Sequence, residues 1–248
     1  FSLTKPGGLR VSGDSSEITD LAQSHRRSMR RAIFLAATLM VAGFVSLAID
    51  IPMARFCVVE DEVPTGPRLH GDVRELLGVC EGLGHGFGIL LIALTVSVLD
   101  PPNRRKIPRL LVCGLGAGGI ANALKILVIS RMRPRALDFQ EFGGGVLDTF
   151  ERWLPLINTE NVDKVFDSAK LGCPSAHAAT GAGLAVVLAW MYPNGRWLFA
   201  MFAVLTAAQR VASQAHFVSD TLWGAAVGCV FASTFIYMQW PATAFNKF

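Results

Sequence analysis

Three groups of polar residues interrupt an otherwise apolar chain, and their chemistry is that of phosphate. Lys125 lies in an apolar run five residues before Ser130, and Arg133-Pro134 follows just beyond it. Pro174-Ser175-Ala176-His177 opens a second run, and Arg210 closes a third, followed by His216 and Asp220. Ionisable residues in or against membrane-spanning segments are costly to keep, so they are functional candidates by default. A phosphoryl group in transfer needs cations and N–H donors around its equatorial oxygens. Lys125, Arg133 and Arg210 supply charge, and arginine is suited to a bidentate grip on phosphate. Ser175 and the backbone N–H groups of Ala176 and His177 sit at a predicted helix start, where unpaired donors and the helix dipole favour an anion. His216 and Asp220 are four residues apart, so one helix face carries both. A carboxylate on one imidazole nitrogen sets the tautomer and leaves the other free to attack. His177 is the natural acid for the leaving oxygen. No metal-ligand spacing accompanies these residues, and no cofactor is expected.

The elements that must position these groups are membrane helices. The chain has 248 residues, 52% hydrophobic and only 17% charged, with mean hydropathy +0.42. A soluble domain is about 45–50% apolar and about 25% charged, and a disordered chain is poorer still in apolar residues. A spanning helix needs about 20 mostly apolar residues. Six runs qualify: 32–49, 82–99, 110–130, the stretch between Lys170 and Arg196, 197–215 and 221–240. The reading is therefore all-α, a six-transmembrane-helix bundle. Residues 1–31 form a polar N-terminal tail, 32–240 the membrane domain with a long outer loop at 131–174, and 241–248 a short tail. The net charge of +4 is read as loop arginine and lysine rather than a nucleic-acid surface, since no basic patch is interleaved with aromatics.

Loop charge sets the direction. Arg26, Arg27, Arg30 and Arg31 precede the first run, and Arg104, Arg105, Lys106 and Arg109 lie between the second and third. Both clusters belong on the cytoplasmic side, which places both termini there. Lys125, His177, Arg210 and His216 then share one depth near the outer surface. Arg131, Arg133 and Arg135 oppose the charge rule on that side, which points to a chemical reason for their presence. The basic tail before the first run resembles half of a signal peptide, but the run is long and lacks a clear small-residue cleavage site, so it reads as a retained anchor.

In the outer segment, Val146, Phe150, Trp153, Leu154 and Ile157 recur at helical spacing. This predicts a short helix, lying on the bilayer or packed on the protein. Asp72 and Glu75 suit the start of another, carrying Val73, Leu76 and Leu77. Gly114–Gly119 matches GxGxxG but lies mid-span with no preceding strand, so Gly114, Gly118, Gly224 and Gly228 read as close helix packing instead. Of five cysteines, Cys113 and Cys229 read as core. Cys57, Cys80 and Cys173 lie outside the runs or near their ends.

Lys125…Arg133-Pro134, Pro174-Ser175-Ala176-His177 and Arg210-x5-His216-x3-Asp220 resemble the three-part signature of the type 2 phosphatidic acid phosphatase (PAP2) superfamily. The resemblance covers roughly residues 80–240 and fits its six-span membrane branch. It implies a metal-independent lipid phosphatase with His216 as nucleophile forming a phosphohistidine, Asp220 as its partner and His177 as general acid. It implies phosphate binding by Lys125, Arg133, Ser175, Ala176 and Arg210. Three positions depart from the family pattern: seven residues rather than six separate Lys125 from Arg133, Ala176 replaces a glycine, and Gln209 replaces a serine. An extra helical residue rotates a contact by about 100°, so either the span ends early, or a bulge absorbs it, or Arg131 shares the phosphate role.

The expected function is removal of phosphate from a membrane lipid phosphate or diphosphate at the outer face of an inner membrane of bacterial type. The expected partners are that lipid and the bilayer, not nucleic acid. The alternatives are a lipid-to-lipid phosphotransferase with the same phosphohistidine, or a non-catalytic lipid-phosphate binder; retention of both His177 and His216 argues against the binder.

Overall fold

The computed structural model describes residues 15–58, 69, 71–139, 141–155, 157 and 167–237. The first 14 residues of the expected polar tail, the end of the sixth run beyond 237 and the tail 241–248 lie outside them. Among the described residues there are seven α-helices: α1 (Ser15–Phe56), α2 (Gly71–Val79), α3 (Gly86–Leu99), α4 (Ile107–Leu127), α5 (Ala176–Met191), α6 (Arg196–Ala212) and α7 (Val218–Tyr237). α1 is continuous from Ser15 through the first apolar run, so helix and polar tail have no boundary at residue 31. Among the described residues, residues 26–56, 101–127 and 218–237 are long and apolar enough to cross a membrane, and α2 with α3, bent by 62°, counts as a fourth only when the pair is taken as one broken span. α5 is apolar but only 16 residues long. Several long apolar helices are consistent with an integral membrane protein. Phe34, Val41, Val45, Leu90, Leu94, Val98 and Val204 face outward from them, a distribution that water does not favour.

α5 runs through the middle of the bundle, and its neighbours approach to backbone contact. A methyl group at Gly224 on α7 would meet the Ser175 carbonyl, and one at Gly228 would meet the Ala179 carbonyl. On the other side, a methyl group at Gly118 of α4 would meet Thr180. Within the apparent GxGxxG, Gly114 and Gly116 lie close against Ile89 and Phe231, as glycines that serve helix packing do, while Gly119 meets no neighbour within 4 Å. Below them, Ile89, Leu110, Cys113, Leu184, Val187, Leu188, Ala232 and Ile236 form the main core of α3, α4, α5 and α7.

The outer segment is where structure and expectation part. In place of a helix over 146–157 there is a 3-10 turn, Val146–Thr149, followed by strand β2 (Phe150–Trp153). It pairs antiparallel with β1 (Ile129–Arg131), Ile129 opposite Trp153 and Arg131 opposite Phe150. The third apolar run is correspondingly shorter as helix. α4 stops at Leu127, where β-branched Val128 and Ile129 fit a pleated strand better than a helix. Phe150 and Trp153 also favour a strand. Their spacing of three fits a helix as well, and cross-strand pairing decides between the two. The pairing shifts register between Ser130 and Arg131. Both an early helix end and an irregular strand thus lie between Lys125 and Arg133, the stretch that carries the extra residue.

A further stretch runs along the free side of β1. Arg133 N–H donates to Ala169 at 2.8 Å, Gly172 N–H to Arg131 at 2.9 Å and Ser130 Oγ to Lys170 at 3.2 Å. The Lys170–Glu151 ion pair at 2.9 Å fastens it to β2. At the opposite end of the bundle, Lys106 and Arg109 lie against the Trp190 ring, and Asp100 accepts from Tyr192 and Asn103. All five cysteines are free thiols.

Candidate active site

α4, α5, α6 and α7 each deliver a polar residue to the same end of the bundle, the end closed by the strand pair. Ser175 is the N-cap of α5, its Oγ accepting from Ala178 N–H at 3.4 Å. Its own N–H donates to the Asp220 carbonyl at 2.9 Å, which ties the start of α5 to the first turn of α7. The N–H groups of Ala176 and His177 occupy the first turn, where a helix offers them no partner. The Ala176 methyl packs with Ala117, Ala121 and Ala179 between α4 and α5.

α6 ends in a way that carries the chain directly to His216. Gln214 adopts a left-handed conformation (φ 54°). Its N–H bonds the Val211 carbonyl at 2.9 Å, and the Ala215 N–H bonds the Arg210 carbonyl at 3.1 Å. This is a Schellman cap with glutamine where glycine is usual. The Gln214 side chain donates to the Ala54 carbonyl of α1 at 3.0 Å, a contact glycine would lack.

His216 is buried. Its Nδ1 lies 2.6 Å from the Gly172 carbonyl and 3.9 Å from Asp220 Oδ2. A carbonyl only accepts, so Nδ1 carries the proton and Nε2 the lone pair. This corrects the expected Asp220–His216 hydrogen bond: a main-chain carbonyl sets the tautomer. Burial, followed by the charges of Lys125, Arg133 and Arg210, holds the His216 imidazole well below its ordinary pKa against the opposing Gly172 bond. The ring is neutral, as a nucleophile must be.

Asp220 is occupied elsewhere. Oδ2 accepts from Phe217 N–H at 2.9 Å and Oδ1 from Arg131 Nη1 at 2.6 Å. Arg131 is fully buried and also donates to Ser219 Oγ (2.7 Å), Asp50 Oδ2 (2.8 Å) and Thr149 Oγ1 (2.9 Å), with its guanidinium between the rings of Phe150 and Phe217. Arg131 as a phosphate ligand is therefore corrected. Its donors are directed at fixed protein acceptors, and the group is sealed from the site. Asp50, from α1, completes this cluster by accepting from Ser219 N–H at 3.1 Å.

The remaining cations are differently placed. Lys125 is buried, and its ammonium makes no hydrogen bond or ion pair among the described residues. Arg133 Nε and Arg210 Nε are buried with no hydrogen-bond partner. Arg133 makes one long contact, Nη2 to the Leu171 carbonyl at 3.4 Å. Arg210 Nη1 donates to Glu81 Oε1 at 2.7 Å and to Gln209 Oε1 at 3.3 Å, and Gln209 Nε2 donates to Glu81 Oε2 at 3.2 Å. Buried donors left open are expensive unless something fills them. Arg133 Nε and Arg210 Nε are two such donors, and together with Lys125 their charges act on the His216 imidazole, an arrangement with the chemistry to hold an anion.

The PAP2 superfamily model matches residues 108–244, more than half of the chain. The chain belongs to the PAP2 superfamily. No curated protein and no solved structure matches it. PAP2 members are in general phosphatases, and the polar residues of this PAP2 chain named above lie within the matched stretch, except Asp50 and Glu81. Asp50 immediately follows the apolar run 32–49, and Glu81 immediately precedes the run 82–99. Each is the first acidic residue flanking a run on the site side, which is the one signal that marked them. The Gly172 carbonyl carried no signal at all, because a main-chain acceptor has no residue type.

Proposed function

We propose that this protein is an integral-membrane phosphatase acting on a lipid phosphate or diphosphate through a phosphohistidine at His216. The observation that carries the reading is the pairing of a neutral, buried imidazole, Nδ1 fixed on Gly172, with the open donors of Lys125, Arg133 and Arg210. The phosphoryl oxygens lie against those cations and the N–H groups at the start of α5. Nε2 of His216 attacks phosphorus, and the bond to the leaving oxygen breaks as His177 gives that oxygen a proton. The phosphohistidine is then hydrolysed by a water from which His177 recovers its proton. Fixed cations carry the charge stabilisation, so the reaction proceeds without a metal cofactor. Asp220 acts through structure, holding Phe217 and Ser175 so that His216 and the phosphate loop keep their relative places.

In the membrane the chain crosses six times, α2 and α3 together forming one crossing. Both termini are cytoplasmic and the site is at the outer face. The test is phosphate release from a panel of lipid phosphates with chelator present, using wild type and His216→Ala. Wild type releases phosphate from at least one lipid, and the variant loses about 10³-fold or more. Equal inactivity of both on every lipid, or abolition by chelator, refutes the reading. A labelled phosphoenzyme that passes its phosphate to a second lipid rather than to water converts it to a phosphotransferase.

A further inference from the structure

Beside His177 stand two groups, His85 and Glu81, whose chemistry is not that of phosphate. His85 is the N-cap residue of α3, and its Nε2 lies 3.3 Å from Nε2 of His177. The two rings meet at 85°. Glu81 Oε1, one turn before His85, lies 3.5 Å from the same His85 nitrogen. All three ligand atoms fall within 4.8 Å of one another. Glu81 and His85 have side chains 42% and 52% exposed, so the cluster opens to solvent.

We propose that Glu81, His85 and His177 bind a first-row transition cation, Zn²⁺ foremost, and that its binding switches the enzyme off. Two imidazoles and one carboxylate are a zinc set, whereas magnesium and calcium take oxygen ligands. At Zn–N and Zn–O distances of about 2.0–2.1 Å, tetrahedral ligand atoms lie about 3.3–3.4 Å apart. The two nitrogens are already at that separation, and Glu81, held by Arg210 and Gln209 but 42% exposed, closes the set by exchanging its contact with Arg210 for the metal. Three protein ligands leave the fourth position to water. The consequence rests on the proposed role of His177 as the acid. A His177 ring with a metal on Nε2 has no proton on that nitrogen and cannot become an imidazolium, so it no longer serves as the acid. The cation also competes with Arg210 for the Glu81 carboxylate, so it touches the phosphate grip as well.

The experiment uses the full chain in detergent, stripped of metal and then titrated with Co²⁺. One equivalent produces the visible absorption band of four-coordinate cobalt in wild type, and the band is lost in His85→Ala and in His177→Ala. In phosphate release, Zn²⁺ inhibits wild type and chelator restores it. His85→Ala keeps its basal rate and needs roughly ten-fold or more zinc for the same inhibition, since even supporting partners of a ligand cost that much affinity. Absence of the band in wild type, or equal bands and equal zinc inhibition in wild type and His85→Ala, overturns the proposal. If no lipid is dephosphorylated yet the cobalt band depends on both histidines, the metal site stands and the phosphatase reading falls.

Discussion

Asp220 and Gly172 exchange the roles their residue types suggest. The carboxylate four residues from His216 caps a helix and pairs with a buried arginine, while the imidazole is oriented by a peptide carbonyl. Gly172 has no room for a side chain: a Cβ there would stand 2.8 Å from the Arg131 carbonyl and 3.2 Å from that of Met132. Gly172→Ala therefore displaces the acceptor that sets the His216 tautomer. We expect it to lower kcat by about 10²-fold, the scale of a misplaced catalytic group, while the protein still folds; steady-state phosphate release with a melting curve checks both. The chemistry-bearing residues were legible in the sequence because charge is scarce in apolar runs, so each exception stands out. What they bond to was not. The extra residue between Lys125 and Arg133 opens a shared phosphate role for Arg131, and burial between Phe150 and Phe217 closes it.

Among the elements, the contact of α5 with α7 sets the site most directly. Gly224 lies against the Ser175 backbone, so a side chain there pushes on the phosphate loop itself. Gly224→Val is expected to cost about 1–3 kcal/mol by overpacking and to depress activity further than the loss of folded protein explains. Thermal midpoint and specific activity of the folded fraction separate the two effects. The contact of α1 with α7 is held differently, by Asp50 on Ser219 and Arg131. Asp50→Asn leaves a buried guanidinium short of one charge, and breaking a buried pair costs about 3–5 kcal/mol. A large fall in thermal midpoint is the expected result, and an unchanged midpoint would sink this account of the cluster. The helices were legible from apolar runs, and their boundaries less so. Nothing local announces that α4 gives way to a strand after Leu127, because its partner, β2, lies some twenty residues further on.

For the molecule as a whole, the segregation of charge into two ends is the organising fact. Lys106 and Arg109 with Trp190 mark one end, and the site marks the other. Phe139→Cys, in the outer segment beside the core of Ala54, Leu137 and Phe217, should react with an impermeant thiol reagent from outside intact cells. Labelling from the cytoplasmic side alone would invert the orientation.

The buried cluster of Asp50, Arg131 and Asp220 also separates two notions of size. The family match begins at residue 108, but Arg131 inside it draws one of its two carboxylates from position 50. A chain trimmed to the matched segment would retain His216, His177 and the three cations and leave Arg131 with Asp220 as its one carboxylate. We therefore expect the trimmed chain to be less stable than the whole, α1 supplying charge balance to the interior and nothing to the chemistry.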